Sequence, residues 1–471
     1  MKFTTRKNIF IPFGTLIFFV FYFIYKSNNY YISLKSIASI IILLLIAFSV
    51  SQNKKSINYE LVLWGLTLQL TLGFFVLNTY VGQEIFKSIS FFMTKLLDFT
   101  HEGTYFVFGD LGKNLSASKA FKETLEKLPL INTLGNLNLG FFAFTVLPTV
   151  IFVSSLSALC YYLGILQFIV KLFAKAMNYF LRVSGAEALA TTANIFIGQT
   201  EAPLLVRPYV PKMTKSELLV LMTGGMATVS GSVLVAFIGL LKDHPTIGPT
   251  IGVHLLTASV MAAPIAIVVA KIIYPELETP LTKGTLKMDV TTDDANVIDA
   301  TARGALEGLN LALNIAGMLI AFIALIALFN YLLGPCLDAL LSLLNLGPIN
   351  LSLEKIFSFI FFPIAYLMGI TPADCLNVAT ILGEKIVLNE FVAFINLGQS
   401  MYQLSDRSII ITSYAICGFA NFSSIAIQLG GIGGMAPDRR HDLAKLGIKA
   451  LIGGTLTSYI NATVAGLFIL N

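Results

Sequence analysis

"IFIGQTEAP", residues 195 to 203, breaks an apolar run with Gly198, Gln199, Thr200 and Glu201 and closes on Pro203. Why a carboxylate, an amide and a hydroxyl stand together between a glycine and a proline depends on the surrounding solvent. Of 471 residues, 56% are hydrophobic and 12% charged, about half the charge of an ordinary soluble domain. Apolar runs of bilayer-crossing length, roughly 17 to 25 residues, recur near 8–25, 34–51, 60–81, 140–166, 218–241, 251–273, 310–334, 407–430 and 450–470. The pattern predicts an all-α polytopic membrane protein with about nine transmembrane helices, because only intra-segment hydrogen bonding satisfies a single chain segment in lipid.

The basic start of "MKFTTRKNIFIPFGTLIFFVFYFIYK" (1–26) is followed by a long apolar core without a small-residue cleavage site, so it reads as an uncleaved first helix. Cys160, Cys336, Cys375 and Cys417 lack paired spacing, which points away from a disulfide framework or a zinc site. The net charge of +5 is spread over loops and serves as a topology signal rather than a nucleic-acid footprint. With the N-terminus cytoplasmic, the inner loops hold most of the lysines and arginines. Six of the outer ones (Lys87, Lys95, Lys113, Lys119, Lys122, Lys127) share one long segment of little weight. That predicts a multi-pass protein of the cell (inner) membrane with its C-terminus external.

Two stretches are too polar to cross. Residues 82–139 hold an external amphipathic piece, "GQEIFKSISFFMTKLLDF" (82–99), and a loop with "FGDLGKN" (108–114). Residues 275–305 hold a cytoplasmic linker, "PLTKGTLKMDVTTDD" (280–294), and the start of "ANVIDATARGALEGLNLALN" (295–314). The latter aligns Val297, Ala300, Ala305, Leu306 and Leu309 roughly on one helical face, as in an interfacial helix. Residues 142–273 and 310–470 then repeat one order: spanning helix, amphipathic segment, broken apolar stretch, small-polar helix, spanning helix. Each half makes three crossings, so the second is inverted relative to the first. Interrupted segments at matching positions in two halves are the sequence pointer to a transporter's binding site.

Glu201 and Glu390 head the two broken stretches, and a carboxylate in the bilayer centre costs at least about 2.5 kcal/mol on insertion scales. Gly198 permits the chain reversal of a re-entrant hairpin tip and Pro203 ends its backbone pairing. Freed backbone groups there require a wet cavity or burial in protein. An anchoring role for Glu201, paired to Arg207 or an interfacial lysine, competes with the binding role. Glu384 and Lys385 stand side by side in "GEK" and are placed to neutralise each other, while Glu187 and Asp374 read as helix caps. "GGMATVSGS" (224–232) and "CGFANFSS" (417–424) crowd small and polar residues into mid-span, fitting both close helix packing and partly unwound helices that cradle a cation and a solute. Carboxylates, amides and hydroxyls without an arginine cluster suit a neutral, hydroxyl-rich solute, and Phe419 offers a ring face. No phosphate loop or HExxH occurs, and Asp293–Asp294 stands alone in the linker, so no enzyme is indicated.

"GQTEAP" (198–203), "GEKIVLNEFVAF" (383–394) and "CGFANFSSIAIQLGG" (417–431) resemble the signatures of concentrative nucleoside transporters. "LPTVIFVSSLSALCYYLGILQ" (147–167) and "ASVMAAPIAIVVAKIIYPE" (258–276) are similar too, and the likeness runs from about residue 36 to the end. The resemblance implies a homotrimer of ion-coupled symporters in a bacterial-type plasma membrane, each protomer a scaffold plus a transport domain moving like an elevator. It places Gln199, Thr200, Glu201 and Val233 on the nucleobase, Glu390, Asn421 and Ser424 on the ribose, and Phe419 beside them. It implies a sodium site from Asn194, the carbonyls of Ile197 and Val229, and the Thr228 hydroxyl. Ser230, Val235 and Ala426 depart from the family's smaller residues. An additional first helix (1–32) precedes scaffold helices (33–139), a first repeat (140–275) with hairpin 1 around 184–212, the linker (276–305) and a second repeat (306–471) with hairpin 2 around 363–398. The expected function is sodium-coupled uptake of nucleosides such as uridine. Proton coupling, or carriage of free nucleobases or small polyols, is the alternative.

Overall fold

The computed structural model describes residues 7–26, 30–109, 142–284, 294–344 and 351–469. Within them the regular elements are all helical, with one isolated β-bridge between Ser184 and Lys283. In chain order the main helices are α1 (Lys7–Lys26), α2 (Tyr30–Ser49), α3 (Tyr59–Asn78), α4 (Tyr80–Phe108), α5 (Leu147–Tyr162), α6 (Ile165–Leu181) and α7 (Gly185–Ala193). There follow α8 (Lys215–Ala227), α9 (Gly231–Leu241), α10 (Gly248–Ile273), α11 (Val297–Tyr331), α12 (Leu353–Leu367) and α13 (Cys375–Val387). The series closes with α14 (Glu390–Ser400), α15 (Asp406–Ile416), α16 (Phe422–Met435) and α17 (Arg440–Phe468).

Six helical stretches among the described residues are long and apolar enough to cross a membrane, or seven with the α5–α6 pair, bent by 76° at Gly164. The sequence places nine crossings, and the difference has local causes. The apolar run 407–430 is interrupted at 417–421, leaving α15 and α16 each too short by itself. The described apolar part of α2, Ser33–Ser49, is 17 residues long and falls just under the span length. Much of "FGDLGKN" lies outside the described residues, whereas "GQEIFKSISFFMTKLLDF" lies within the single helix α4.

The element order of the two halves agrees. α5, α6, the α7 segment, the broken pair α8/α9 and α10 are followed by α11, α12, the α13/α14 pair, the broken pair α15/α16 and α17. The core is built by the middle of this set. The stretch containing α8 and α9 is 94% buried, as is α10, against 17% for the stretch containing α11. Polar residues of α8 to α10 and α17 therefore face protein rather than lipid, the one setting in which they are tolerated at membrane depth.

The linker helix turns out differently from its sequence reading. Residues 297–331 form one helix continuous with the spanning segment, N-capped by Asn296, whose Oδ1 accepts from Ile298 and Asp299 N–H at 2.9 and 3.0 Å. Val297, Leu306 and Leu309 are exposed, and the packed ridge is Ala300, Gly304, Gly308, Ala312, Ile315 and Leu319. A Cβ on Gly308 would stand 2.7 Å from Ile151 Cα, and one on Gly304 2.8 Å from the Ser154 carbonyl. Lipid tails are as apolar as leucine, so close backbone contact through the small residues Gly304 and Gly308 is what brings α11 against α5 at this end.

Candidate functional site

Both small-polar helices are broken at the expected places: α8 gives way to α9 across Thr228–Ser230, and α15 to α16 across Cys417–Asn421. The breaks abut. Phe419 N–H donates to the Thr228 carbonyl at 3.3 Å, and Gly231 N–H donates to the Phe196 carbonyl at 2.9 Å, joining both to the opening stretch. Gly418 permits the approach, since a Cβ there would lie 3.0 Å from the carbonyls of Met226 and Ala227.

The stretch itself follows α7, whose N-terminus carries a capping box: Glu187 N–H donates to Ser184 Oγ at 3.2 Å and Ser184 N–H to Glu187 Oε2 at 2.9 Å. Glu187 is thus the cap its position suggests, and it also pairs with buried Lys271 of α10 at 2.5 Å. Lys271 reaches Glu276 and Ser216 as well, each at 3.0 Å. After Ala193 the chain turns, then continues through 3₁₀ segments Ala202–Val206 and Val210–Lys212, the first with Pro203 in its opening turn. Glu201 accepts from Gly198 N–H at 3.3 Å, so its carboxylate braces the turn. Among the described residues it forms no ion pair with Arg207 or a lysine.

From this turn the expected residues diverge. Gln199 faces the second half: its Nε2 donates to Ser424 Oγ at 3.2 Å and its Oε1 accepts from Gln428 Nε2 at 3.0 Å. Ser424 N–H donates to Asn421 Oδ1 at 2.8 Å, capping α16, and Asn421 Nδ2 donates to Glu390 Oε2 at 2.7 Å. Gln199, Ser424, Asn421 and Glu390 are therefore one buried hydrogen-bonded chain across the two halves. Glu201 instead looks into a cavity of about 430 Å³, shared with Ser230, Ser232, Tyr161, Arg207 and Arg303. Thr200 lies beside Gly431 of α16, where a Cβ would meet its methyl at 3.0 Å. Val233 is wholly buried in α9. One helical turn on, Phe237 stacks on Phe394 at 3.9 Å and meets Phe391 edge-on at 4.9 Å. Phe419, partly buried, flanks the break.

Gln428 was not singled out from the sequence, although a lone amide within "SSIAIQLGG" carries the signal. It is fully buried and donates to Gln199 and to the Met222 carbonyl, each at 3.0 Å. Three further expectations change. Glu384 does not neutralise Lys385, because Asn396 Nδ2 donates to it at 2.7 Å. Asp374 occupies the N-cap position of α13 but its side chain makes no cap bond there, accepting instead from Ser405 N–H and Oγ at 3.1 and 2.7 Å. Asp294 is not alone: Arg303 binds both its oxygens, at 2.7 and 2.9 Å, and holds its carboxyl below the usual carboxylate range. Asp293 lies outside the described residues.

Among the described residues no three His, Cys, Asp or Glu side chains converge as metal ligands. A cation here would be held by neutral oxygens, the preference of hard ions. Asn194 is buried with neither side-chain atom hydrogen-bonded, a cost a native fold avoids unless something else fills the need. Thr228 is buried beside the break, its hydroxyl donating to the Gly224 carbonyl at 3.0 Å. Ile197 and Val229 flank the Phe196–Gly231 tie that joins the two segments.

Comparison with known proteins accords with this geometry. Three family models match: Na+ dependent nucleoside transporter N-terminus over residues 38–111, nucleoside recognition over 143–243, and Na+ dependent nucleoside transporter C-terminus over 254–466. An uncharacterized transporter of Bacillus subtilis is 40% identical over 427 residues, 90% of this chain and 96% of the relative. Mouse sodium/nucleoside cotransporter 1 is 38% identical over 92% of this chain, which spans 63% of that longer protein. A solved structure of CNTnw in an inward-facing substrate-bound state superposes with a TM-score of 0.80 at 35% identity, covering 93% of this chain and 98% of that one. A variant of the same protein in an outward-facing state gives 0.81 at 35%, with the same coverage. The chain is a multi-pass membrane transporter, not an enzyme, and it belongs to the concentrative nucleoside transporter family.

Proposed function

We propose that this protein is a sodium-coupled symporter that carries nucleosides such as uridine into the cell. The observation that carries the reading is the buried chain Gln199–Ser424–Asn421–Glu390, which joins the two broken segments at the point where their helices unwind. Such a chain offers an amide to a base edge and a carboxylate to hydroxyls, the amide held meanwhile by Ser424 and Gln428 and the carboxylate by Asn421. In this reading Gln199, Thr200, Glu201 and Val233 meet the nucleobase, and Glu390, Asn421 and Ser424 meet the ribose beside Phe419. The unsatisfied amide of Asn194, the Thr228 hydroxyl and the carbonyls of Ile197 and Val229 receive sodium.

The moving unit we propose is the buried body of α7 to α10 and α13 to α17, tied internally by Lys271 and the abutting breaks. α5 and α11, joined by their glycine ridge, would stay fixed in a homotrimer of the cell membrane with the N-terminus cytoplasmic and the C-terminus external. The two turns act as re-entrant tips, and the body shifts as an elevator between sides.

Uptake of labelled uridine and adenosine into proteoliposomes tests the reading, with external sodium exchanged for choline at fixed pH. Sodium-dependent accumulation of either nucleoside is expected. Transport of a free base or polyol with both nucleosides ignored would refute the substrate class, and undiminished uptake on a proton gradient would replace sodium by protons.

A further inference from the structure

The paired helices α13 and α14 turn polar sides toward each other. Asn377, Thr380 and Glu384 recur at three- and four-residue steps on α13, and Asn396, Gln399 and Ser400 do so on α14, which puts each set on one helix face. Between the faces lies a cavity of about 240 Å³, separate from the one Glu201 looks into. A water occupies roughly 30 Å³, so the space admits several. Asn377 and Gln399 are exposed at its mouth, and Glu384, only 5% exposed, stands at its inner end near the Leu388–Asn389 break. The mouth end of the pair lies beside the C-terminal end of α17, because Arg407 donates to the carbonyls of both Gly369 and Ile469. The cavity therefore opens on the side assigned above to the cell exterior.

Glu384 is the one carboxylate lining this cavity among the described residues, and it forms no ion pair with any of them. Its Oε2 accepts from Asn396 Nδ2 at 2.7 Å, while its Oε1 and Asn396 Oδ1 receive no hydrogen bond from a described residue and are not sealed from the cavity. A buried carboxylate without a compensating charge is strongly disfavoured, and the groups around it are amides and hydroxyls. A dedicated calcium cage draws on several carboxylates, whereas a single one among neutral oxygens suits a hard monovalent ion. We propose that this cavity is a second cation site, in which Glu384 and Asn396, with the hydroxyls of Thr380 and Ser400, hold a partly hydrated sodium ion between the two helices. The inference rests on the reading above only for the identity of the ion, since the site shares no residue with Asn194 or Thr228. An ion held by both helices ties α13 to α14, whose first residue is Glu390, and so sets the pair before a nucleoside arrives.

The test uses the full chain in detergent without nucleoside, in sodium chloride or choline chloride at fixed ionic strength and pH. Uridine uptake into proteoliposomes is the second readout. Thr228→Val serves as the background, because it weakens the site at the break. In that background sodium should still raise the melting temperature by a few degrees, and adding Glu384→Gln should abolish the rise. In the otherwise wild-type chain, Glu384→Gln should raise the half-saturating sodium concentration for uridine uptake by about tenfold. No rise in the Thr228→Val background, or a rise that persists in the double variant, overturns the proposal and leaves sodium at the break standing. Uptake that ignores sodium in every variant overturns the coupling ion alone, and the melting comparison still decides the cavity. Glutamine keeps the shape and removes only the charge, so the variant should fold. If it does not, Thr380→Val combined with Ser400→Ala decides: a weakened sodium-induced rise supports the site, and an unchanged one refutes it.

Discussion

Gln428→Leu asks whether a side chain two layers from the solute sets the order of the residue that meets it. Gln199 is held at both ends of its amide, by Ser424 at 3.2 Å and by Gln428 at 3.0 Å. Leucine is close to isosteric with glutamine but donates nothing, so Gln199 Oε1 and the Met222 carbonyl each lose a donor. A buried acceptor left unpaired costs about 1–3 kcal/mol of stability. The freed Gln199 side chain must be frozen again on binding, at about 0.5–1.5 kcal/mol for an immobilised side chain. With ~1.4 kcal/mol per decade, the uridine KM rises by about twofold to tenfold. Initial uptake rates in proteoliposomes give KM, and melting in detergent gives stability. Because the effect passes through Gln199, the same substitution in a Gln199→Ala background should add almost nothing to KM. A KM rise of equal size in that background, or none in a protein that melts early, would refute the reasoning.

Glu390→Gln turns an acceptor into a donor beside Asn421, and losing one charge-assisted bond of roughly 1.5–3 kcal/mol should raise the uridine KM about tenfold or more, read by competition uptake. Thr228→Val removes a hydroxyl next to the break and should raise the half-saturating sodium concentration by about tenfold while leaving folded yield unchanged; sodium titration of uptake checks this. Gly308→Ala sets a Cβ 2.7 Å from the Ile151 backbone and should cost about 1–3 kcal/mol, whereas Gly317→Ala on the same helix meets nothing within 4 Å and should melt like wild type. Asp294 is held below its usual value by Arg303. Its contribution is present above about pH 4, the unfolded carboxyl range, and is lost as pH falls through the lower folded value; limited proteolysis of the linker should accelerate there and be pH-independent in Arg303→Met.

The sequence by itself determined the solvent, the helical class, the repeated order of elements and the two interrupted stretches that the structure brings together. Those follow from composition and period: few charges, apolar runs of bilayer length, and polar residues at matching interruptions, each visible without knowing what packs on what. The breaks at Thr228 and Asn421 were likewise legible, because small polar residues in mid-span weaken a helix locally. Tertiary structure decided which groups meet. Gln199 and Glu201, two residues apart on one turn, serve different surfaces, and local spacing carries no record of that. Glu384 and Lys385 are adjacent in sequence yet separated by helical geometry, whereas Gln199 and Gln428 are 229 positions apart and bonded. The linker helix packed through Ala300, Gly304 and Gly308 rather than its larger apolar face. In lipid, burying leucine gains little and close backbone contact gains more, so the face that packs is chosen by its partner, α5, and not by hydrophobicity along the helix.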